Sequence, residues 1–183
     1  MFSGSPESAQ PKGIMKRIMA SLVLAGTLAA TRVFAQSTFQ ALLNGLQEVP
    51  PNASPATGFG QVVLNLAQTQ ITVDESWSGL LAPASASHIH GPAAPGVNAP
   101  VLFALAGVPA ATAGAIPQQV FGITPAQVTQ LFAGQFYFNI HNSLFPGGEI
   151  RGQITLVPEP SMLALTGMGL AASAWFLRRH RKS

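Results

Sequence analysis

Short segments in which apolar and polar residues alternate dominate the middle of this 183-residue chain. Apolar residues recur at every second position in residues 37–43, 60–66 and 70–77, and Glu75 is the one interruption among them. Successive side chains of a β-strand point to opposite faces, so each segment predicts a strand with one buried face. Because turn residues such as Asn44-Gly45 separate the segments, the pattern indicates a β-sandwich or a barrel.

The second half of the same region predicts further strands and one short helix. Thr124 starts the helix as its N-cap, Pro125 occupies the first turn, and Gln127 stands where it completes a capping box. The predicted strands cover residues 101–103, 136–141 and 149–155, of which the last two form a hairpin.

Charge is divided unevenly between the middle of the chain and its ends. The whole chain carries +3, whereas residues 36–157 hold four acidic residues and a single basic one, Arg151, which gives −3. Nucleic-acid binding requires clustered Lys and Arg on the folded domain, so this composition excludes it. Residues 36–157 are long enough for one domain, and without cysteine that domain must be stabilised by its own core.

Residues 1–35 have the organisation of a secretory signal peptide. A basic segment precedes the apolar residues 18–30, and the expected signal peptidase cleavage site lies between Ala35 and Gln36. Because the basic residues follow Met15 directly, Met15 is an alternative start of translation.

The C-terminal segment, residues 158–183, combines a proline-rich turn, an apolar stretch and a basic tail. Residues 161–177 would form a helix of about 26 Å, close to the roughly 30 Å of a membrane hydrocarbon core. The basic tail, residues 178–183, favours the cytoplasmic side and places the domain outside. A plain membrane anchor would share these features. The candidate processing residues are Val157, Pro158, Glu159, Pro160, Arg178 and Arg179.

In this order, the turn, the apolar helix and the basic cluster resemble the PEP-CTERM sorting signal. The resemblance implies processing by an exosortase, a membrane protease-transferase of bacteria that export surface polysaccharide. It implies an inner-membrane intermediate with the domain in the periplasm, followed by a form at the cell surface or outside the cell. The implied partners are signal peptidase, the exosortase, the membrane before processing, and exopolysaccharide.

Four separated motifs within residues 37–156 resemble the CHRD domain, a module named for its repeats in chordin. The resemblance implies an all-β fold, an immunoglobulin-like antiparallel β-sandwich or barrel with one short helix. A signal peptide and a C-terminal transmembrane helix would flank this domain. The resemblance supplies a fold rather than an activity, so no binding site is carried over. The motifs are LQEVPP at 46–51, SHIHG at 87–91, FYFNIH at 136–141 and GGEIRGQ at 147–153.

Three histidines are candidate metal ligands. His88 and His90 are two residues apart on a predicted strand and therefore face the same side, and His141 ends another strand. Neutral imidazole is a common ligand of zinc and copper, so these residues could form a site for either metal. In the alternative interpretation they bind no cofactor and, with Asn139, hydrogen-bond the carbonyls of glycine-rich turns.

The few charged residues of the domain predict structural contacts. We expect an ion pair between Glu48 and Arg151, since Arg151 is the only Lys or Arg of residues 36–157. Glu149 and Arg151 are two residues apart on one strand face, and they would form a charged pair or hydrogen-bond the loop that carries Glu48. The sequence has no cysteine and no Gly-x-Ser-x-Gly motif, so we expect no enzymatic activity. A structural or binding role at the cell surface is the main prediction, and a copper- or zinc-binding module is the alternative. The ligand and the oligomeric state are left open.

Overall fold

The computed structural model describes residues 36–158 and 168–169. The predicted signal peptide, and all but two residues of the predicted helix at 161–177, lie outside the described residues. Within the described part, no helix is both long and apolar enough to cross a membrane. The elements are β1 (Ser37–Asn44), a 3-10 turn (Gly45–Gln47), β2 (Thr57–Leu64), β3 (Gln70–Ser78), β4 (Ala84–His90), β5 (Val101–Leu105), β6 (Gly114–Gly122), α1 (Pro125–Phe132), β7 (Tyr137–Asn142), β8 (Ile150–Gln153) and β9 (Thr155–Leu156).

All nine strands form one antiparallel sheet that nearly closes on itself. The strand order is β5-β4-β7-β8-β1-β2-β3-β6, and β9 also pairs with β1. At the seam between β5 and β6, the Gln119 side chain accepts from the Ala106 N–H and donates to the Ala106 carbonyl, each at 2.9 Å. The rings of Phe103 and Phe121 pack beside these two hydrogen bonds, with their centroids 5.1 Å apart. The predicted all-β class is therefore confirmed, in its barrel form.

The alternation in the sequence places apolar side chains inside the barrel. Phe39, Ala41 and Leu43 of β1 all point into the core, and each is no more than 2% exposed. Helix α1 adds Leu131 to the same core, and its Phe132 ring meets the Phe39 ring edge to face at 5.2 Å.

Helix α1 begins with the capping box that the sequence predicts. Thr124 Oγ1 accepts from the Gln127 N–H at 3.3 Å, and Gln127 Oε1 accepts from the Thr124 N–H at 2.9 Å. After the helix, Gly134 has a φ of 66°, a conformation that favours glycine.

Three strands differ most clearly from the sequence prediction. The predicted strand at residues 149–155 is divided into β8 and β9. The sequence pattern does not predict β6, because this edge strand contains Pro117 and leaves most of its side chains exposed or half-buried. Proline is tolerated at a sheet edge, and an exposed strand needs no apolar alternation. Strand β2 covers Thr57–Leu64 rather than residues 60–66.

Glu75 is an acidic side chain inside the barrel. It is 2% exposed, its Oε2 accepts from Ser87 Oγ at 2.5 Å, and its Oε1 has no hydrogen-bond partner. Burial raises the pKa of Glu75 to about 8, against the smaller opposing effect of the Ser87 hydrogen bond. The side chain is therefore mostly protonated at neutral pH.

Replacing Glu75 by glutamine should remove a pH-dependent loss of stability. The folded-state pKa of about 8 lies above the ordinary 4.5. The contribution of Glu75 to the free energy of unfolding is therefore complete below pH 4.5, and it is lost as the pH rises through 8. At pH 9, Glu75→Gln should therefore exceed the wild type in unfolding free energy by roughly 2–4 kcal/mol, with little difference at pH 5. Urea denaturation at both pH values measures this, and a constant difference between the two proteins would contradict it.

Gly60 of β2 allows close packing across the barrel. A Cβ at this position would overlap the ring of Phe138, which is completely buried. Gly60→Ala should therefore lower the free energy of unfolding by about 1–3 kcal/mol. Gly122→Ala on β6 is the matched control, because nothing lies within 4 Å of the added methyl group. Chemical denaturation compares the two variants, and equal losses of stability would contradict this packing.

Candidate functional site

A polar cluster lies on the outer face of three adjacent strands, β4, β7 and β8. The register places His88 opposite Asn139 and His90 opposite Tyr137, and Asn139 is in turn opposite Arg151 on β8. The alternate residues of these strands point to the opposite face, into the core. The strand register thus brings most of the candidate residues of the sequence onto one surface.

The three candidate metal ligands meet within this cluster. One ring nitrogen from each of His88, His90 and His141 lies within 4.8 Å of the others. The closest pair is His88 Nδ1 and His141 Nε2, which are 3.1 Å apart. The fold therefore brings the three imidazoles together.

Backbone carbonyls of two loops fix the orientation of two of these rings. His90 Nδ1 lies 2.9 Å from the Ala99 carbonyl, and His141 Nδ1 lies 3.0 Å from the Pro146 carbonyl. A carbonyl only accepts, so both Nδ1 atoms carry the proton and both Nε2 atoms present a lone pair. His90 Nε2 is buried and has no hydrogen-bond partner among the described residues.

The surroundings keep these imidazoles uncharged. The pKa of His141 falls to about 4, mainly because of burial and with smaller contributions from His88 and His90, while the Pro146 hydrogen bond opposes the shift. Burial also lowers the pKa of His88, with a smaller effect from His90, and it lowers the pKa of His90, to which Arg151 contributes. The three rings are therefore uncharged at neutral pH, which is the form of imidazole that can bind a metal ion.

A stack of side chains supports His90 from behind. The His90 ring is parallel to the Tyr137 ring, with an angle of 6° and centroids 5.1 Å apart. The Arg151 guanidinium carbon lies 3.4 Å from the centroid of Tyr137. The Tyr137 hydroxyl accepts from the Ala99 N–H at 3.0 Å, so the same loop residue holds both rings. Sequence reasoning does not single out Tyr137; the only signal is that it is the one tyrosine of the chain.

Arg151 and Glu48 share a cleft but do not form the expected ion pair. The guanidinium donates to Asn98 Oδ1 at 3.3 Å and to the Val97 carbonyl at 2.9 Å, and no contact with a carboxylate is found among the described residues. Stacking on Tyr137 directs the guanidinium toward this loop. The interaction between Glu48 and Arg151 is therefore a longer-range attraction, which lowers the pKa of Glu48 only in part.

Glu48 is 5% exposed, and it adjoins Asn139. Burial raises the pKa of Glu48 to about 7 and outweighs the opposing effects of Arg151, a backbone hydrogen bond and Asn139. Glu48 Oε1 and Asn139 Oδ1 are both buried without a hydrogen-bond partner. Asn139 Nδ2 donates to the Gly147 carbonyl at 3.2 Å, and a Cβ at Gly148, whose φ is 129°, would overlap both side chains. The glycine allows the loop to approach them closely.

Glu149 links loops rather than pairing with Arg151. Its fully buried carboxylate accepts from Ser54 Oγ at 2.5 Å, from the Leu81 N–H at 2.8 Å, and from Asn142 Nδ2. Its backbone carbonyl accepts from Asn52 Nδ2 at 3.0 Å. The segment that follows Glu48 in sequence is therefore anchored to the loop between β7 and β8.

An open cleft of about 400 Å³ adjoins the polar cluster. Two ionisable side chains, Glu48 and Arg151, line it together with several apolar residues. It is lined by Leu46, Gln47, Glu48, Val49, Pro51, Pro95, Gly96, Arg151 and Gln153.

The nearly closed antiparallel barrel, with its polar cluster on one outer face, defines a single-domain β-barrel module. Comparison with family models identifies the family of this module. The CHRD domain model matches residues 39–154, and the chain belongs to the CHRD domain family. The PEP-CTERM protein-sorting motif matches residues 156–182. Searches of curated proteins and of solved structures found no match.

The sorting motif identifies an exported protein that an exosortase processes and that is sorted to the cell surface. The motif begins directly at the barrel, since β9 pairs with β1 and the Val157 N–H donates to the Thr38 carbonyl at 2.8 Å. Of the other candidate processing residues, Gln36 and Pro158 are described, whereas Ala35, Glu159, Pro160, Arg178 and Arg179 lie outside the described residues.

Proposed function

We propose that the exported CHRD barrel is a metal-binding module in which His88, His90 and His141 hold one zinc or copper ion. The observation that carries the proposal is the convergence of three imidazole nitrogens within 4.8 Å. Copper and zinc are the metals that imidazole ligands suit best in an exported domain without cysteine.

The neighbouring loops support this proposal. In metal sites, a ligating histidine usually donates its second ring N–H to a carbonyl or carboxylate, which fixes its tautomer and orientation. The Ala99 and Pro146 carbonyls already hold His90 and His141 in that way. Tetrahedral zinc with bonds of about 2.0–2.1 Å keeps its nitrogen ligands about 3.3 Å apart. Small side-chain rotations would bring the two most distant histidine nitrogens to that separation.

His88 provides the adjustable ligand. In the described arrangement its Nδ1 donates to His141 Nε2 at 3.1 Å, because the Nδ1 atom of His141 carries that ring's proton. A metal ion would replace this hydrogen bond and take the lone pair of His141 Nε2. The His88 proton would then move to its other ring nitrogen, so the neutral cluster could bind the ion without releasing a proton.

Zinc or copper binding should depend on each of the three histidines. Protein from the exported fraction, treated with chelator and reloaded, should retain one equivalent of metal by elemental mass spectrometry. An excess of free metal about 100-fold over Kd should stabilise it by about 2.7 kcal/mol. His90→Ala and His141→Ala should lose both effects, because each removes an oriented lone pair.

Ser85→Ala is the control for these variants, since its hydroxyl only donates to the His141 backbone carbonyl, at 3.2 Å. It should bind metal as the wild type does. Metal-free protein whose melting temperature does not respond to zinc or copper would end the proposal. That outcome would favour the second candidate function, a structural or adhesive role without a cofactor, in contact with extracellular polysaccharide.

The second candidate is supported by the hydrogen bonds that lock the loops of the barrel. Through its buried carboxylate, Glu149 alone joins its own loop to two other loops and to the end of β7. A rigid domain without cysteine suits a matrix component, and no catalytic activity is part of either candidate.

In both candidates, we propose that the unprocessed protein is held in the inner membrane with its barrel in the periplasm. Deleting Pro158, Glu159 and Pro160 should leave a full-length form in the membrane fraction, because the exosortase would no longer recognise it. Immunoblots of cell fractions measure this, with Gly122→Ala as a control for export and folding, because nothing lies within 4 Å of the added methyl group. An unchanged processed form after the deletion would contradict the intermediate.

A further inference from the structure

The cleft beside the histidine cluster has two ionisable groups at its base. Arg151 is 1% exposed and Glu48 is 5% exposed, although both line an open cleft of about 400 Å³. Leu46, Val49 and Pro95 provide apolar walls. A concave site with apolar walls and a few buried polar groups is the usual form of a small-molecule site, and this volume lies at the small end of that range.

The buried guanidinium of Arg151 has no anionic hydrogen-bond partner among the described residues. Its acceptors there, Asn98 Oδ1 and the Val97 carbonyl, are neutral oxygens. Buried charges in proteins are normally paired, because an unpaired charge in a low-dielectric site is costly. Tyr137 holds the guanidinium in place at 3.4 Å, so the group is fixed at the cleft.

Glu48 does not supply the missing negative charge at short range. Within the described part of the chain, its Oε1 has no hydrogen-bond partner, and neither does the neighbouring Asn139 Oδ1. A proton on the Glu48 carboxyl can donate to one of the acceptor oxygens nearby, which an ionised carboxylate cannot do. The base of the cleft is then a neutral acid beside a fixed cation, and it carries a net positive charge.

We propose that this cleft binds a small ligand bearing a single carboxylate, to which the Arg151 guanidinium donates hydrogen bonds and beside which Glu48 lies. A planar guanidinium matches a carboxylate well, and the apolar walls suit either a short aliphatic chain or the C–H faces of a sugar ring. The ligand is therefore a short organic acid or a uronic-acid sugar. This site is separate from the metal-binding function and does not depend on it.

Nuclear magnetic resonance titration of the exported protein with glucuronate, butyrate and glucose, in the presence of chelator, tests the proposal. The chelator prevents a carboxylate from binding through metal on the histidines. Saturable shifts at the Arg151 side chain and the cleft amides are expected with glucuronate, with butyrate or with both, and none with glucose. Glucuronate alone would identify a sugar acid, and butyrate alone a short organic acid. No saturable binding of either acid, or equal binding of glucose, would overturn the proposal.

Glu48→Gln provides the decisive variant, since glutamine resembles the protonated acid and should not disturb folding. The groups that face Glu48 are Arg151 from β8 and Asn139 from β7, and His90 lies beyond Tyr137. Because the pKa of Glu48 is about 7, most of its carboxyl groups lose their proton between pH 6 and pH 8. Carboxylate binding by the wild type should therefore weaken about tenfold over this pH range. Glu48→Gln should show no such loss, and an equal loss in both proteins would overturn the proposal.

Arg151→Gln should lose carboxylate binding, with thermal denaturation as the check that it folds. If it does not fold, the pH dependence of Glu48→Gln decides the question alone. Glu75→Gln is the control, because Glu75 is a buried acid inside the barrel that does not line the cleft. It should bind the carboxylate as the wild type does.

Discussion

Strand β7 carries the constraint on which both the core and the polar cluster depend. Its residues are almost all buried, yet its two faces require opposite chemistry. Phe138 and Ile140 point into the barrel, whereas Tyr137, Asn139 and His141 point outward beneath the loops. A shift of one residue in register would exchange the two faces, placing a histidine and an asparagine in the core. The apolar core therefore fixes the position of the histidines as firmly as it fixes the fold.

The loops determine the chemical state of the residues that β7 presents. Ala99 accepts from His90 through its carbonyl and donates to Tyr137 through its N–H, while Pro146 accepts from His141. These contacts select the tautomers, and burial keeps the rings neutral. Arg151 adds one fixed positive charge behind the Tyr137 ring, which further disfavours protonation of His90. The proposed metal site and the proposed carboxylate cleft thus lie on one outer surface, although they use different residues.

The sequence predicts those features that depend on neighbouring residues in the chain. Alternation predicts the buried face of β1, and the spacing of Thr124 and Gln127 predicts the capping box of α1. The common face of His88 and His90 follows from the period of a strand. Strand β6 is not predicted, because an exposed edge strand has no regular apolar pattern.

The contacts of the site depend on residues far apart in the chain, so they could not be predicted from local pattern. The stacking of His90, Tyr137 and Arg151 requires three strands to be adjacent. The ion pair expected between Glu48 and Arg151 was inferred from charge alone. In the structure, the Val97 carbonyl and the Asn98 side-chain amide oxygen accept hydrogen bonds from the guanidinium instead.

The tautomers of the three histidines test the central claim most directly. Nitrogen-15 nuclear magnetic resonance of the imidazoles at pH 7, before and after zinc addition, distinguishes protonated, unprotonated and metal-bound nitrogens. We predict that His90 and His141 are neutral with the proton on Nδ1, and that zinc shifts their Nε2 signals while both Nδ1 protons remain. Positively charged rings, protons on Nε2, or Nε2 signals unchanged by zinc would contradict it.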